Sequence, residues 1–98
     1  MKNLSDLTYG IVGFGLMGGS LGKAIRENVL SVSSASGKIL AADINEASLS
    51  LAREQHIADE TFLISKVDSM LCHCDFVFVC LYGDINLKSD YLAAIKDF

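Results

Sequence analysis

Between Thr8 and Gly22 the chain reads Thr-Tyr-Gly-Ile-Val-Gly-Phe-Gly-Leu-Met-Gly-Gly-Ser-Leu-Gly, a short apolar run that passes into Gly13, Gly15 and Gly18 at G-x-G-x-x-G spacing. This pattern asks for a strand, a tight turn and a helix start in direct succession. Tyr9, Ile11 and Val12 supply the strand. Gly13 can take backbone angles closed to residues with a Cβ, Gly15 leaves room for a group to approach the chain, and Gly18 lets the helix lie close on the strand. A bare turn could use the same glycines, so the pattern gains weight only from its surroundings.

The group such a turn accommodates is a diphosphate. The N–H groups at the mouth of the helix face it, and the helix dipole favours its negative charge, so no basic residue is required. The expected contacts are Gly13, Phe14, Gly15, Leu16, Met17 and Gly18, with the backbone near Leu16 and Met17 touching phosphate; the Met17 and Leu21 side chains read as core. An acid, Asp43, closes the next apolar run, Lys38-Ile-Leu-Ala-Ala-Asp43, with Ile44 beside it. A carboxylate there accepts hydrogen bonds from the adenosine ribose hydroxyls and repels a 2′-phosphate, which points to NAD rather than NADP. Asp43 follows Gly18 at somewhat more than the usual interval of about 20 residues. The small, polar stretch Ser31-Val-Ser-Ser-Ala-Ser-Gly37 accounts for the excess as a loop between helix and strand.

With 98 residues the chain is one domain at most, and 51% apolar residues suffice for a packed core. A net charge of −4 with no basic cluster argues against nucleic acid or an anionic membrane as partner. No apolar run reaches about 18 residues, and the glycine-broken run at Tyr9 to Leu21, followed by Arg26 and Glu27, is no signal-peptide core. Three cysteines without an export signal suit the cytoplasm. Cys72-His73-Cys74 lacks the second ligand pair of a structural zinc site and reads as a helix end running into a strand.

In chain order, Met1 to Leu7 is a polar lead-in. The first helix is predicted from about Leu16 to Asn28, packing through Met17, Leu21, Ala24 and Ile25, with Lys23, Arg26 and Glu27 in water. Asn45 caps a second helix reaching about Gln55, with Leu49 and Ala52 inward and His56 at its end. Ile57 to Ile64 contains a short third strand, and Ser65-Lys66-Val67-Asp68 fits a capping box before a brief helix burying Val67, Met70 and Leu71. Asp75-Phe-Val-Phe-Val-Cys-Leu81 lacks alternation, which predicts a strand covered on both faces with Phe76, Phe78 and Cys80 in the core. Tyr82-Gly83-Asp84 ends it, and a last helix packs through Leu87, Tyr91, Leu92 and Ile95. Ligands of open α/β sheets sit at the carboxyl ends of strands, so Leu81 and Tyr82 are candidates to line the NAD site, Tyr82 equally reading as a half-buried loop ring. The order β-α-β-α-β-α-β-α gives a Rossmann-like, doubly wound parallel α/β sheet, strand order 3-2-1-4, that stops short of its usual further strands. The outer edge of the fourth strand is then left for something else to cover.

At Gly13-Phe-Gly-Leu-Met-Gly-Gly-Ser-Leu-Gly22 the chain resembles the prephenate and arogenate dehydrogenase family, whose nucleotide turn typically reads G-x-G-L-M-G-G-S-L-A. Asp43-Ile-Asn, Leu49 to Ala52 and Ile57-Ala-Asp-Glu60 are also similar to that family's second strand and helix. The resemblance covers nearly all of residues 1–98, but only the cofactor half of such an enzyme. It implies oxidation of prephenate or arogenate with a nicotinamide cofactor, loss of carbon dioxide, and tyrosine biosynthesis. It also implies a catalytic His beyond the fourth strand, which neither His56 nor His73 matches, and a helical C-terminal domain that dimerises and completes the substrate pocket. Both are expected to lie outside this chain, which would then not turn over alone. Gly22 departs from the family's Ala, and Leu81-Tyr82-Gly83 from its small residue and Pro.

Two other readings fit the same residues. Another dehydrogenase with a G-x-G-x-M-G turn, acting on 3-hydroxyacids or imines, would share the glycines. A non-catalytic nucleotide-binding or interaction module would fit the lack of any acid, base or nucleophile constellation.

Overall fold

The computed structural model describes residues 3–80, save the side chains of Leu16 and Met17. Four strands, β1 (Thr8–Val12), β2 (Lys38–Asp43), β3 (Glu60–Leu63) and β4 (Phe76–Val79), form one parallel sheet in the order β3-β2-β1-β4. Helices α1 (Leu16–Asn28), α2 (Glu46–Glu54) and α3 (Val67–Leu71) connect them. This is the Rossmann-like strand order that the alternating elements predict. The last helix expected from sequence lies outside the described residues.

The pleat sends alternate side chains of each strand to opposite faces, and both faces of the central strands are covered. On one side Tyr9, Ile11, Ile39 and Ala41 pack with Ile25 of α1, Leu49 and Ala52 of α2, and Ile57. On the other, Val12, Leu40 and Ala42 meet Val67, Met70 and Leu71 of α3. Full burial of an aliphatic side chain of this size is worth about 1.5–3 kcal/mol, so these two layers fix the sheet and the end of it that carries the glycine turn.

Asn45 caps α2 as expected, its side chain accepting the Ala47 N–H at 2.8 Å. His56 ends that helix in the left-handed region at φ 56°, where its N–H reaches the Arg53 carbonyl. Cys72 to Cys74 form the turn out of α3.

Several expectations are corrected. Ala24 is exposed; the buried face of α1 is instead built from Gly18, Gly22 and Ile25, with Leu21 half-buried. Leu21 and Ile25 are on that face as expected, and Gly18 and Gly22 take the rest of it because glycine is invisible to a hydrophobic-periodicity argument. Arg26 does not simply face water: it donates to the Ile57 carbonyl at 2.8 Å and to Asp59 at 2.7 Å, tying α1 to the chain after α2. The capping box at Ser65 is not formed, because Ile64–Lys66 make a 3-10 turn with no side-chain cap before α3. The lead-in contains a 3-10 turn at Leu4–Asp6 whose Leu4 carbonyl accepts the Tyr9 hydroxyl. Finally, Phe76 and Phe78 are exposed, as are Val77 and Val79, and Cys80 is only partly buried. An unbroken apolar run marks a strand that needs cover on both faces, and among the described residues no helix supplies it to β4.

Candidate functional site: the glycine turn and Asp43

The carboxyl ends of β1 and β2 meet where the chain turns into α1. Gly13 stands at φ 89°, in the region where a Cβ is strained, and its N–H donates to the Ala42 carbonyl at 2.8 Å. A Cβ on Gly18 would lie 2.2 Å from the Gly13 carbonyl oxygen, so the absence of a side chain is what lets α1 start directly against the turn. Gly15 precedes the helix in extended conformation, and the Gly19 N–H closes the first intrahelical bond to its carbonyl at 2.8 Å. The N–H groups of Leu16, Met17 and Gly18 therefore belong to the first turn, which has no intrahelical acceptors.

Apart from its own chain neighbours, nothing lies within 4 Å of the position a Cβ on Gly15 would occupy. That open approach beside a helix N-terminus is what a diphosphate needs. Asp43 is buried at 6% exposure at the end of β2, yet its carboxylate is directed to the same turn: Oδ2 accepts the Phe14 N–H at 2.6 Å and Oδ1 the Asn45 N–H at 2.8 Å. The Phe14 ring lies in the core, so this residue meets the turn through its backbone. Ile44, next in the chain, is exposed.

The structure thus brings together Gly13, Phe14, Gly15, Gly18, Asp43 and the backbone of Leu16 and Met17. Leu81 and Tyr82 lie outside the described residues. Besides capping α2, Asn45 donates its N–H to Asp43 in an Asx turn, a pattern that Asp43-Ile-Asn45 carries in its spacing. A cavity of about 470 Å³ also runs between α1 and α2, walled by Phe14, Gly15, Gly19, Ala52 and Ile57; it reaches the turn at Gly15, while Asp43 is not among its walls.

Among the described residues no group of three or more His, Cys, Asp or Glu could hold a metal ion, and no helix is long and apolar enough to cross a membrane. Cys72 is exposed, while Cys74 is partly buried, and burial first, then Asp75 and Cys72, push its thiol up to about 11. Burial also raises Cys80, and raises Tyr9 with help from Asp75.

Strand order, glycine turn and acid together define an α/β domain of the Rossmann type. No family model matches the chain, and no curated protein does. Among solved structures it is similar to prephenate dehydrogenase from A. aeolicus in complex with hydroxyphenyl propionate and NAD+, at 40% identity over 80% of this chain with a TM-score of 0.62. Over those residues the likeness supports the prephenate dehydrogenase family. It spans 25% of the length of that protein.

Proposed function

We propose that this chain is the NAD-binding part of a prephenate dehydrogenase. The observation that carries the reading is the turn itself: a left-handed Gly13, an unobstructed Gly15 at the start of α1, and a buried carboxylate on the neighbouring strand directed at the same place. The NAD+ in the A. aeolicus structure supports the choice of cofactor.

In this proposal the first-turn N–H groups at Leu16, Met17 and Gly18 bind the diphosphate, and Gly15 leaves it room to approach. Asp43 grips the adenosine ribose and disfavours a 2′-phosphate, with Ile44 offering apolar surface beside it. From the sequence alone, Leu81 and Tyr82, outside the described residues, are assigned to the same lining. Bound NAD supplies the hydride acceptor. In the overall reaction prephenate gives up a hydride, its ring carboxylate leaves as carbon dioxide, and the ring becomes aromatic as 4-hydroxyphenylpyruvate, on the way to tyrosine. The chemistry on the ring falls to a His and a helical, dimerising domain outside residues 1–98, so we assign no catalytic residue here and expect no turnover from this chain alone. Arogenate is the other substrate this reading admits, and the cytoplasm is its setting.

Titration with NADH, followed by nicotinamide fluorescence, tests the cofactor. Saturable binding that a Gly15→Val change abolishes is expected. A folded protein that binds no NADH would return the chain to the class of interaction modules.

A further inference from the structure

The carboxylate of Asp43 is a structural part of the turn before any ligand is considered. Its two oxygens accept the Phe14 N–H at 2.6 Å and the Asn45 N–H at 2.8 Å, and the neighbouring Gly13 N–H goes to the Ala42 carbonyl at 2.8 Å. The β1–α1 turn is therefore tied to the end of β2 by two adjacent bonds, one from each of two consecutive residues. The Phe14 ring anchors the turn on its core side, but Gly15 has no side chain, and beyond its chain neighbours nothing packs where its Cβ would be. Glycine also loses more conformational freedom on ordering than any other residue, so the turn has to be fixed from outside.

We infer that Asp43 is a positioning residue for the diphosphate cradle, separately from any bond it makes to a ribose. By holding the Phe14 N–H it sets the direction in which Gly15 and the first turn of α1 present their N–H groups. Hydrogen bonds to a carboxylate are short and strong relative to neutral ones, which suits it to this task. The inference rests on the proposed dinucleotide reading, and it separates two jobs that one side chain performs. Gripping the sugar affects only ligands with ribose hydroxyls, whereas fixing the turn affects every ligand with a diphosphate.

The test uses 2′,3′-dideoxyadenosine diphosphate, which keeps the diphosphate and lacks both hydroxyls, together with hydrogen exchange of the ¹⁵N-labelled chain. D43N keeps the size of the side chain but sets an N–H₂ against one of the two backbone N–H donors. Exchange at the Phe14 amide is expected to quicken at least tenfold while amides of Leu49 and Ala52 in α2 hold steady, and affinity for the dideoxy diphosphate is expected to fall at least fivefold. If either quantity is unchanged in D43N while the wild type binds, the positioning role is overturned and Asp43 is a sugar ligand only. If the wild type binds neither NADH nor the dideoxy diphosphate, the cofactor reading fails and takes this inference with it. Should D43N not fold, D43E serves, since it keeps the charge but not the distance to Phe14, and the same two changes are expected.

Discussion

A methyl group added at Gly18 would press on the Gly13 carbonyl oxygen at 2.2 Å, whereas one added at Gly15 would meet nothing within 4 Å beyond its own chain neighbours. Two glycines of one motif therefore carry opposite expectations. Gly18→Ala forces the helix off the turn and should lower unfolding free energy by about 1–3 kcal/mol, the usual cost of overpacking, because a backbone carbonyl cannot swing aside as a side chain can. Gly15→Ala should cost under about 1 kcal/mol, its backbone being extended, yet weaken NADH binding. Urea denaturation of both variants beside an NADH titration checks the contrast; equal stability losses would mean that the turn is not packed as described. Cys74 gives a pH-dependent expectation at the same scale. Its thiol ordinarily titrates near 9.0 and is pushed up to about 11 in the fold, mainly by burial. Between those values the unfolded thiol ionises and the folded one does not, so the unfolded state binds fewer protons and stability falls as pH rises from about 9 to about 11. The effect is modest for a half-buried group. A melting temperature that drops less steeply over that window in Cys74→Ser than in the wild type is the expected result.

At the scale of the element, α2 shows both of its ends under local control. Its N-terminal cap depends on Asn45, and Asn45→Ala should cost about 1 kcal/mol by leaving the Ala47 N–H without its acceptor. Its C-terminal end turns through His56 at φ 56°, a conformation that costs a residue with a Cβ about 1–2 kcal/mol. His56→Gly removes that cost but adds freedom to the unfolded chain, and should raise stability by about 0.5–1 kcal/mol on a thermal or urea melt. The cap was legible in the sequence because Asn before an apolar helix stripe has a single favoured use; the left-handed histidine was not, because only glycine or asparagine announces that geometry. The same division runs through the other elements. Strands β1 and β2 and the residues of α3 that point inward were readable from apolar runs and spacing. The packing face of α1 was readable only in part: Leu21 and Ile25 lie on it as expected, but Gly18 and Gly22 bury backbone rather than side chain. Nor was the exposure of β4 readable, because the run Phe76-Val-Phe-Val79 reports what the strand needs and not which part of the chain covers it.

At the scale of the whole molecule, the sheet and its helices matter to function because they bring the ends of β1 and β2 together, and the placement of Asp43 beside the glycine turn was the most legible part of the site. Its bonds to Phe14 and Asn45 were not legible, because they depend on a side-chain direction that spacing leaves open. Joining the two ends makes the fold and the ligand stabilise one another. A ligand that binds only the folded chain adds RT ln(1 + [L]/Kd), about 2.7 kcal/mol at a hundredfold excess over Kd. For a domain of 60–100 residues each kcal/mol moves the melting temperature by about 4–8 °C, so saturating NADH should raise it by about 10 °C or more. NADPH presents the same diphosphate to the same N–H groups but brings a 2′-phosphate to Asp43, and like charges at such range are unfavourable. At matched concentration NADPH should therefore raise the melting temperature by less than half as much. Asp43→Ala removes the repulsion together with the proposed grip on the ribose, so its shifts with the two ligands should converge at a small value. Equal shifts for NADH and NADPH in the wild type would show that the acid does not face the adenosine sugar, and the assignment of NAD as the partner of this turn would have to be withdrawn.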